Sequence, residues 1–257
     1  KIVFSTKMAV SRDKFTLYWL NDLRSHRIMW ILEILQLDYE IEIFLRDPDT
    51  WRAPPELFHV HPLGKSPVLD ISFADGRPGV QLAESGLIVQ YLLKHYDPKS
   101  VLDPGKESDR LEVDYYIHYT EGTLQPILMS MLINTTVKRI APFGLKTMAK
   151  LVSKGLNYGY YIHEFDLNLA YLEKKLLRQG TGFFVGNKLS GADIMLSFPI
   201  YENLFDNEAG VRECSGETQL YKKYPQLGAW CDKVKNDPIY LRISEVMAQK
   251  VEELRRL

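Results

Sequence analysis

Cysteine is scarce in this sequence, and long apolar runs are missing. The two cysteines, Cys214 and Cys231, are too few for a disulfide framework and are not spaced as zinc ligands. No run of about 18 apolar residues occurs, so we expect no membrane-spanning helix. Residues 1–14 lack an apolar core followed by a small-residue cleavage site, so no secretory signal is expected. These absences predict a protein of a reducing compartment, the cytoplasm.

An excess of positive charge is also absent. The chain has 32 Lys and Arg against 33 Asp and Glu, and its net charge is −1. Because nucleic-acid binding needs a basic excess or a basic face, no nucleic-acid partner is expected. The six histidines show no metal-ligand spacing, so no metal site is predicted.

The first third of the chain alternates between strand and helix patterns. Residues 15–20 and 39–45 carry the bulky or alternating apolar side chains of strands, and residues 28–35 repeat apolar side chains at helical spacing. A strand-helix-strand unit of this length predicts a parallel pair of strands. The dipeptide DG at 75–76 separates two short apolar runs and predicts a hairpin, which a helix from about Glu84 follows.

Proline and glycine mark a boundary at residues 98–107, which we interpret as a linker. Beyond this linker the strand patterns nearly vanish, so residues 108–257 are predicted to form an all-helical domain. Residues 15–97 are predicted to form the α/β domain. Residues 1–14 are predicted to be a short N-terminal extension ahead of the first strand.

Three short segments carry recognisable patterns within this order of elements. They are HPLGKSPVL at 61–69, LAESGLI at 82–88 and FVGNKLSGADI at 184–194. Taken singly, they are explained by a proline turn, a helix cap and a capping box. Their order and spacing together resemble the cytosolic glutathione transferase family, above all the branch typified by fungal and bacterial enzymes. The resemblance extends over residues 16–245.

The resemblance implies a thioredoxin-like N-terminal domain of βαβαββα order joined to an all-α C-terminal domain, the glutathione transferase fold. It implies a homodimer that uses glutathione as a substrate and needs no metal. The implied reaction is attack of the glutathione thiolate on a hydrophobic electrophile, as in detoxification. Glutathione-dependent peroxide reduction is the alternative reaction on the same scaffold.

The first segment implies contacts to the cysteinyl and glycyl parts of glutathione. In the family its last proline is cis, so Pro67 is expected to be cis and Ser66 to present its backbone N–H and C=O to the tripeptide. Lys65 is expected to reach the glycyl carboxylate. Arg52, in the loop of residues 46–55, is a second candidate for that carboxylate. A plain proline turn and a solvated arginine are the structural alternatives.

The second segment implies a carboxylate site at a helix start, where free N–H groups and a partial positive charge suit an anion. Ser85 is expected to bind the γ-glutamyl carboxylate through its hydroxyl and N–H, and Glu84 to pair with the amino group. Capping of the helix by these two residues is the structural alternative. In the third segment, Ser190 and Asp193 are predicted to cap a helix and to take no part in chemistry.

The thiol-activating group is where this sequence departs from the family. A free thiol has a pKa near ~8.5, so a donor is needed to hold the thiolate at neutral pH. Many classes have a tyrosine or a serine at the positions that are Trp19 and Leu23 here. Asn21 and Ser25 are therefore the predicted catalytic residues, with Arg24 and the free N–H groups of the following helix as alternatives. A non-catalytic, glutathione-binding regulatory protein is the competing interpretation, and the absence of cysteine from this loop excludes a cysteine mechanism there.

Two later segments mix apolar and polar side chains. In residues 115–126, Tyr119, Glu121 and Gln125 are candidates to contact the thiol or the second substrate, and packing of tyrosines between subunits is the alternative. Residues 137–154 place five basic side chains among apolar ones. This pattern suits either an anionic membrane surface or a solvated helix face. The solvated face is the commoner explanation, so membrane contact is not expected.

Overall fold

The computed structural model describes residues 2–4 and 11–256 and divides the chain into two compact units. The first unit is Lys1–Gly105 together with Asn236–Leu257, and the second is Lys106–Lys235. The predicted fold class, an α/β thioredoxin-like domain followed by an all-helical domain, is confirmed. None of the described helices is long and apolar enough to cross a membrane.

A five-stranded sheet organises the described part of the first unit. Its strands are β1 (Ile2–Phe4), β2 (Lys14–Leu20), β3 (Tyr39–Phe44), β4 (Val68–Ser72) and β5 (Val80–Ala83). Their order is β1-β3-β2-β4-β5, with β2 and β3 parallel and the other pairs antiparallel. The alternate residues Phe15, Leu17 and Trp19 of β2 are buried, as a strand with one face in the core requires.

Strand β1 lies in the segment that was expected to precede the first strand as an extension. It pairs with β3, and the ring of Phe4 stacks on Tyr39 with centroids 5.1 Å apart. A run of three residues is too short for a strand pattern to be recognised in a sequence. The part of the expected extension at residues 5–10 lies outside the described residues.

Helices supply the remaining regular structure. In chain order the α-helices of the described residues are α1 (Ser25–Ile34), α2 (Leu57–Val60), α3 (Ser85–Tyr96), α4 (Glu107–Tyr119), α5 (Gln125–Ile140), α6 (Lys146–Leu156), α7 (Ile162–Gln179), α8 (Gly191–Leu196), α9 (Glu208–Ser215), α10 (Leu220–Lys223), α11 (Pro225–Lys235) and α12 (Pro238–Arg255). Helices α1 to α3 and α12 belong to the first unit, and α4 to α11 form the second. Wider π-type turns continue α4, α6 and α8.

Helix α12 packs against α1, although it is far away in sequence. Trp30 Nε1 donates a hydrogen bond to Asp237 Oδ1 at 3.0 Å, and Arg242 forms an ion pair with Glu33. These contacts place residues 236–257 with the first unit, whereas the sequence-based boundary placed them in the helical domain.

A histidine lies between the same two helices. His26 Nε2 is hydrogen-bonded to Ser244 Oγ at 2.9 Å, and its ring packs edge-on against Tyr240 with centroids 5.0 Å apart. Burial between the helices lowers the pKa of His26 to about 4. The histidine is therefore neutral in the folded protein at pH 7.

Helix α8 begins in the aromatic core of the second unit, and its N-terminus is closed by a capping box. Asp193 Oδ2 accepts hydrogen bonds from the Ser190 N–H at 3.0 Å and from the Ser190 hydroxyl at 2.8 Å. Asp193 Oδ1 accepts from the Phe184 N–H at 3.1 Å and from Trp230 Nε1 at 2.9 Å. Burial raises the pKa of Asp193, and these hydrogen bonds oppose the rise. The arrangement satisfies buried donors at this helix start, which is the structural role predicted for Ser190 and Asp193.

Candidate functional site

A cis peptide bond joins Ser66 to Pro67, directly before β4. Ser66 Oγ donates to the carbonyl oxygen of Tyr18 at 2.8 Å, and it lies 2.8 Å from Ser25 Oγ at the start of α1. The HPLGKSPVL segment and the start of α1 are therefore in direct contact, although 41 positions separate the two serines.

The start of α3 forms a second part of the site. Its N-cap residue, Glu84, has φ 70° and ψ 114°, a left-handed conformation that costs a residue other than glycine on the order of 1–3 kcal/mol. Within the described chain, no side chain caps this helix and no acidic residue lies in its first turn. Glu84 is exposed and Ser85 is buried. The N–H groups of the first turn of α3 are thus available to an anion.

Arg27 places a positive charge at the same helix start. It is fully buried on α1, and its Nη2 donates a hydrogen bond to Ser85 Oγ. Because the Ser85 oxygen accepts this bond, the Ser85 hydroxyl hydrogen is left to donate to another group. Sequence reasoning did not single out Arg27. The signal it offered is an arginine within an apolar helical run, since a buried charge requires a partner.

Asn21 is buried in the loop between β2 and α1 and holds that loop in place. Its Oδ1 accepts a hydrogen bond from the Arg46 N–H at 2.7 Å, and its Nδ2 donates to Asp22 Oδ2 at 2.5 Å. Arg46 Nε also donates to the Asn21 carbonyl at 3.3 Å. One of the two amide hydrogens of Asn21 is used for Asp22, which leaves the other for a ligand.

Ser25 is fully buried, and its hydroxyl is engaged. The oxygen accepts a hydrogen bond from the Leu20 N–H at 3.4 Å. Since the Ser66 hydroxyl hydrogen is donated to Tyr18, it is Ser25 that donates to Ser66. Ser25 therefore positions Ser66 and has no hydrogen left for a thiol. Of the two predicted catalytic residues, the geometry favours Asn21.

Lys65 and Arg52, the two predicted partners of the glycyl carboxylate, are both exposed. The loop that carries Arg52 is held by Arg46, whose Nη1 donates to the Trp51 carbonyl at 2.6 Å.

Trp19 occupies the position of the tyrosine in many classes. It is buried, and its Nε1 has no hydrogen-bond partner in the described part of the chain.

The second unit has an open groove along α4, with a volume of about 980 Å³. Its lining is mixed: Leu111, Tyr115 and Tyr119 are apolar or aromatic, and the polar and acidic members are Ser108, Asp109, Glu112, Asp114, His118 and Thr123. The rings of Tyr115 and Tyr119 stack with centroids 5.8 Å apart, and burial raises the pKa of both hydroxyls. The two phenols are therefore neutral at pH 7, and the groove offers them as flat apolar surfaces.

Of the three residues predicted to reach a second substrate, only Tyr119 lines this groove. Its hydroxyl donates to Asn168 Oδ1 at 2.5 Å, which fixes the ring. Glu121 is half-buried, and Gln125 is buried at the start of α5. In the described residues, no group of three His, Cys, Asp or Glu side chains could hold a metal ion.

The cis proline, the uncapped start of α3 and the separate helical unit define a two-domain protein of the thioredoxin-like class. Residues 24–95 match the family model "Glutathione S-transferase, N-terminal domain", and residues 145–247 match "Glutathione S-transferase, C-terminal domain". The chain is 34% identical to Glutathione S-transferase 1 of Saccharomyces cerevisiae over 89% of this chain and 93% of that protein. The chain belongs to the glutathione S-transferase family.

Other relatives agree with this assignment. Glutathione S-transferase 3 of Schizosaccharomyces pombe is 29% identical over 92% of this chain and 88% of that protein. The crystal structure of a glutathione S-transferase from Actinobacillus pleuropneumoniae has a TM-score of 0.64 and 29% identity, covering 90% of this chain and 91% of that one. A glutathione transferase homologue from Lodderomyces elongisporus, solved with two GSH per subunit, shares the fold with a TM-score of 0.67 at 20% identity, over 91% of this chain and 98% of that one.

Proposed function

We propose that this protein conjugates the thiol of glutathione to hydrophobic electrophiles. The observation that carries the proposal is the uncapped start of α3, where buried Arg27 donates to Ser85. A helix start of this kind attracts a carboxylate, because its N–H groups and the guanidinium act together. Membership of the glutathione S-transferase family supports glutathione as the ligand that carries this carboxylate.

We assign the parts of the tripeptide as follows. The γ-glutamyl carboxylate accepts hydrogen bonds from the Ser85 hydroxyl and from the α3 N–H groups, and exposed Glu84 pairs with the γ-glutamyl amino group. The Ser66 backbone holds the cysteinyl part beside the start of α1. Lys65 and Arg52 hold the glycyl carboxylate. Their contribution is small, because both cations are exposed and screened.

The thiolate is held at the start of α1. The first turn of this helix contains no acidic residue, so its N–H groups lower the pKa of a nearby thiol without opposition from a carboxylate. Asn21 donates its remaining amide hydrogen to the sulfur. The thiolate then attacks an electrophilic carbon, the new S–C bond forms, and a leaving group such as chloride departs with the displaced electron pair.

In the second unit, the stacked tyrosines and Leu111 of the α4 groove present flat apolar surfaces on which an aromatic compound can bind. A structural relative from Phanerochaete chrysosporium, Ure2p5, was cocrystallised with 1-(S-glutathionyl)-2,4-dinitrobenzene, a conjugate of this kind. We further propose a homodimer in the cytoplasm, as the family resemblance implies.

The test combines calorimetric titration of glutathione with conjugation of 1-chloro-2,4-dinitrobenzene. Ser85→Ala is expected to weaken glutathione affinity by about 10- to 100-fold, since a hydrogen bond to a charged group is lost. Asn21→Ala is expected to lower kcat about tenfold or more while the affinity changes by less than about threefold. Exposed Ser72→Ala is the matched control and should change neither quantity.

A binding protein without catalysis is the second candidate, and it is favoured by the engaged hydroxyl of Ser25 and by Leu23 at the usual serine position. Glutathione binding without turnover of the chloronitrobenzene or of an organic hydroperoxide would establish it. Turnover of the hydroperoxide alone would establish the peroxidase. If glutathione does not bind, the assignment of function is wrong while the fold stands.

A further inference from the structure

One segment of the second unit concentrates exposed apolar side chains. Among the residues that the structure describes, eleven of the 26 exposed large apolar side chains lie within residues 129–156, which comprise most of α5, the link to α6, and α6. Their exposed fractions reach 74% at Ile140, 93% at Phe143 and 64% at Leu151. We call this set the α5–α6 surface. Exposed apolar residues concentrated in one patch mark an interaction site more often than scattered ones do.

The fold does not use these apolar side chains to hold α6 in place. The buried residue of α6 is Ser153, and Asn157 is buried in the turn that follows the helix; we call these two residues the polar seam. Asn157 Nδ2 donates to the Cys214 carbonyl at 3.2 Å, and Asn157 Oδ1 accepts from Asn134 Nδ2 at 3.0 Å. The apolar side of α6, with Met148 and Leu151, faces away from this seam and remains exposed.

The charge of this region is of one sign. Residues 122–163 contain none of the 33 acidic residues of the chain and five of its 32 Lys and Arg. Lys138 and Arg139 form ion pairs with Glu213 of α9. The three lysines of α6, at 146, 150 and 154, are exposed and follow one another at one-turn intervals.

We propose that the α5–α6 surface binds an anionic lipid bilayer. An apolar helix face enters the boundary between headgroups and acyl chains, while lysines on the polar side of the helix remain near the negative headgroups. Binding takes place with the fold intact, because the apolar side chains are already outside the core. The apolar face of α6 is exposed together with its lysine row, and this exposed apolar face is what favours a membrane surface over the solvated helix face expected from the sequence.

A second copy of the chain fits the same surface less well. A second copy brings an apolar face of its own, but its residues 122–163 contain no acidic side chain that could pair with the lysine row of α6. Anionic lipid supplies the opposite charge and the apolar phase together.

The experiment is flotation of the full chain with two kinds of vesicle, pure phosphatidylcholine and phosphatidylcholine with about 30% phosphatidylserine. The wild type is expected to float with the anionic vesicles, and more at low salt than at high salt. Lys146→Gln/Lys150→Gln/Lys154→Gln is expected to reduce anionic partitioning on the order of 100-fold. Met148→Gln/Leu151→Gln is expected to reduce it at least about tenfold. The matched controls are exposed residues elsewhere, Lys174→Gln/Lys222→Gln/Lys235→Gln and Leu177→Gln, which should float like the wild type.

Circular dichroism and light scattering after gel filtration are recorded for every variant, so that loss of fold or of assembly is recognised. Three results overturn the proposal. The first is a folded wild type that floats with neither vesicle. The second is equal loss of flotation in the control variants. The third is a larger oligomer of the wild type that Met148→Gln/Leu151→Gln disrupts without any lipid binding, which would make the surface a contact between copies.

Discussion

Helices α3 and α8 differ in what caps the free N–H groups of their first turns. At α8 the helix supplies its own anion, since Asp193 closes the N-terminus and also binds Phe184 and Trp230. At α3 no side chain from the described part of the chain closes the N-terminus, and a buried arginine of another helix adjoins it. The difference separates a helix start that stabilises the fold from one that is left for a ligand. Both starts combine a serine with an acidic residue, Glu84 and Ser85 at α3 and Ser190 and Asp193 at α8, so the residue types alone do not distinguish them.

The largest effect on the free energy of unfolding is expected when the carboxylate that caps α8 is removed. Asp193→Ala leaves the Phe184 N–H, the Ser190 N–H and Trp230 Nε1 buried without an acceptor, each at a cost of about 1–3 kcal/mol. We expect the free energy of unfolding to fall by about 3–5 kcal/mol in urea titrations. Asp193→Asn keeps one acceptor oxygen and should lose less. An unchanged urea midpoint for Asp193→Ala would contradict the structural role of the closed start.

A pH titration extends the comparison to the start of α1. The pKa of His26 is about 4 in the folded protein and about 6.5 in the unfolded chain, so below pH 6.5 the unfolded chain binds the proton first. Stability is therefore expected to fall as pH falls from 6.5 to about 4, by up to about 3 kcal/mol, with no contribution from His26 above pH 6.5. His26→Gln should flatten this part of the pH profile, measured by urea unfolding. His59→Gln, at an exposed histidine, should leave it unchanged.

The uncapped start of α3 is tested by removing the positive charge of Arg27 beside it. Arg27→Met keeps an apolar side chain of similar length and is expected to weaken glutathione binding about 100-fold, because a desolvated cation near the carboxylate is lost. Calorimetry measures the affinity, and urea unfolding shows how much of the effect is structural. Exposed Arg178→Met is the control. A wild-type affinity in Arg27→Met would mean that the helix N–H groups suffice without the guanidinium.

The smallest effect on stability is expected at Glu84, where one substitution should raise the stability of the fold and weaken glutathione binding. Glu84→Gly places glycine at φ 70°, which glycine adopts without strain, so stability is expected to rise by about 1 kcal/mol. Glutathione affinity should fall about tenfold, since the partner of the γ-glutamyl amino group is removed. Thermal unfolding and calorimetry on one preparation measure both changes. A fall in both quantities would show that Glu84 stabilises the fold as an ordinary cap residue does.

Local sequence patterns predicted what local interactions determine. The spacing of Ser190 and Asp193 is contained in one helical turn, so the capping box could be derived from the segment itself. The alternation of strand and helix patterns in residues 15–97 predicted the fold class for the same reason. The Ser66–Pro67 bond was singled out through family resemblance, and it is cis.

Contacts between distant segments were beyond the reach of the same reasoning. The pairing of Arg27 with Ser85 joins residues 58 positions apart, and the engagement of Ser25 by Ser66 spans 41. Both depend on how α1, α3 and the cis proline come together in space. The docking of α12 through Asp237 spans 207 positions, which is why the sequence-based boundary placed this helix in the helical domain.

The docking of α12 also determines when the first unit can be finished during synthesis. Its strands and α1 leave the ribosome early, but Asp237 and Arg242, which bind Trp30 and Glu33, emerge only after the whole helical unit has been made. The helical unit is continuous in sequence and can complete its contacts first. The growing chain thus carries an unfinished first unit, with the α1 surface that α12 will cover open to chaperones until residues 236–257 have been made.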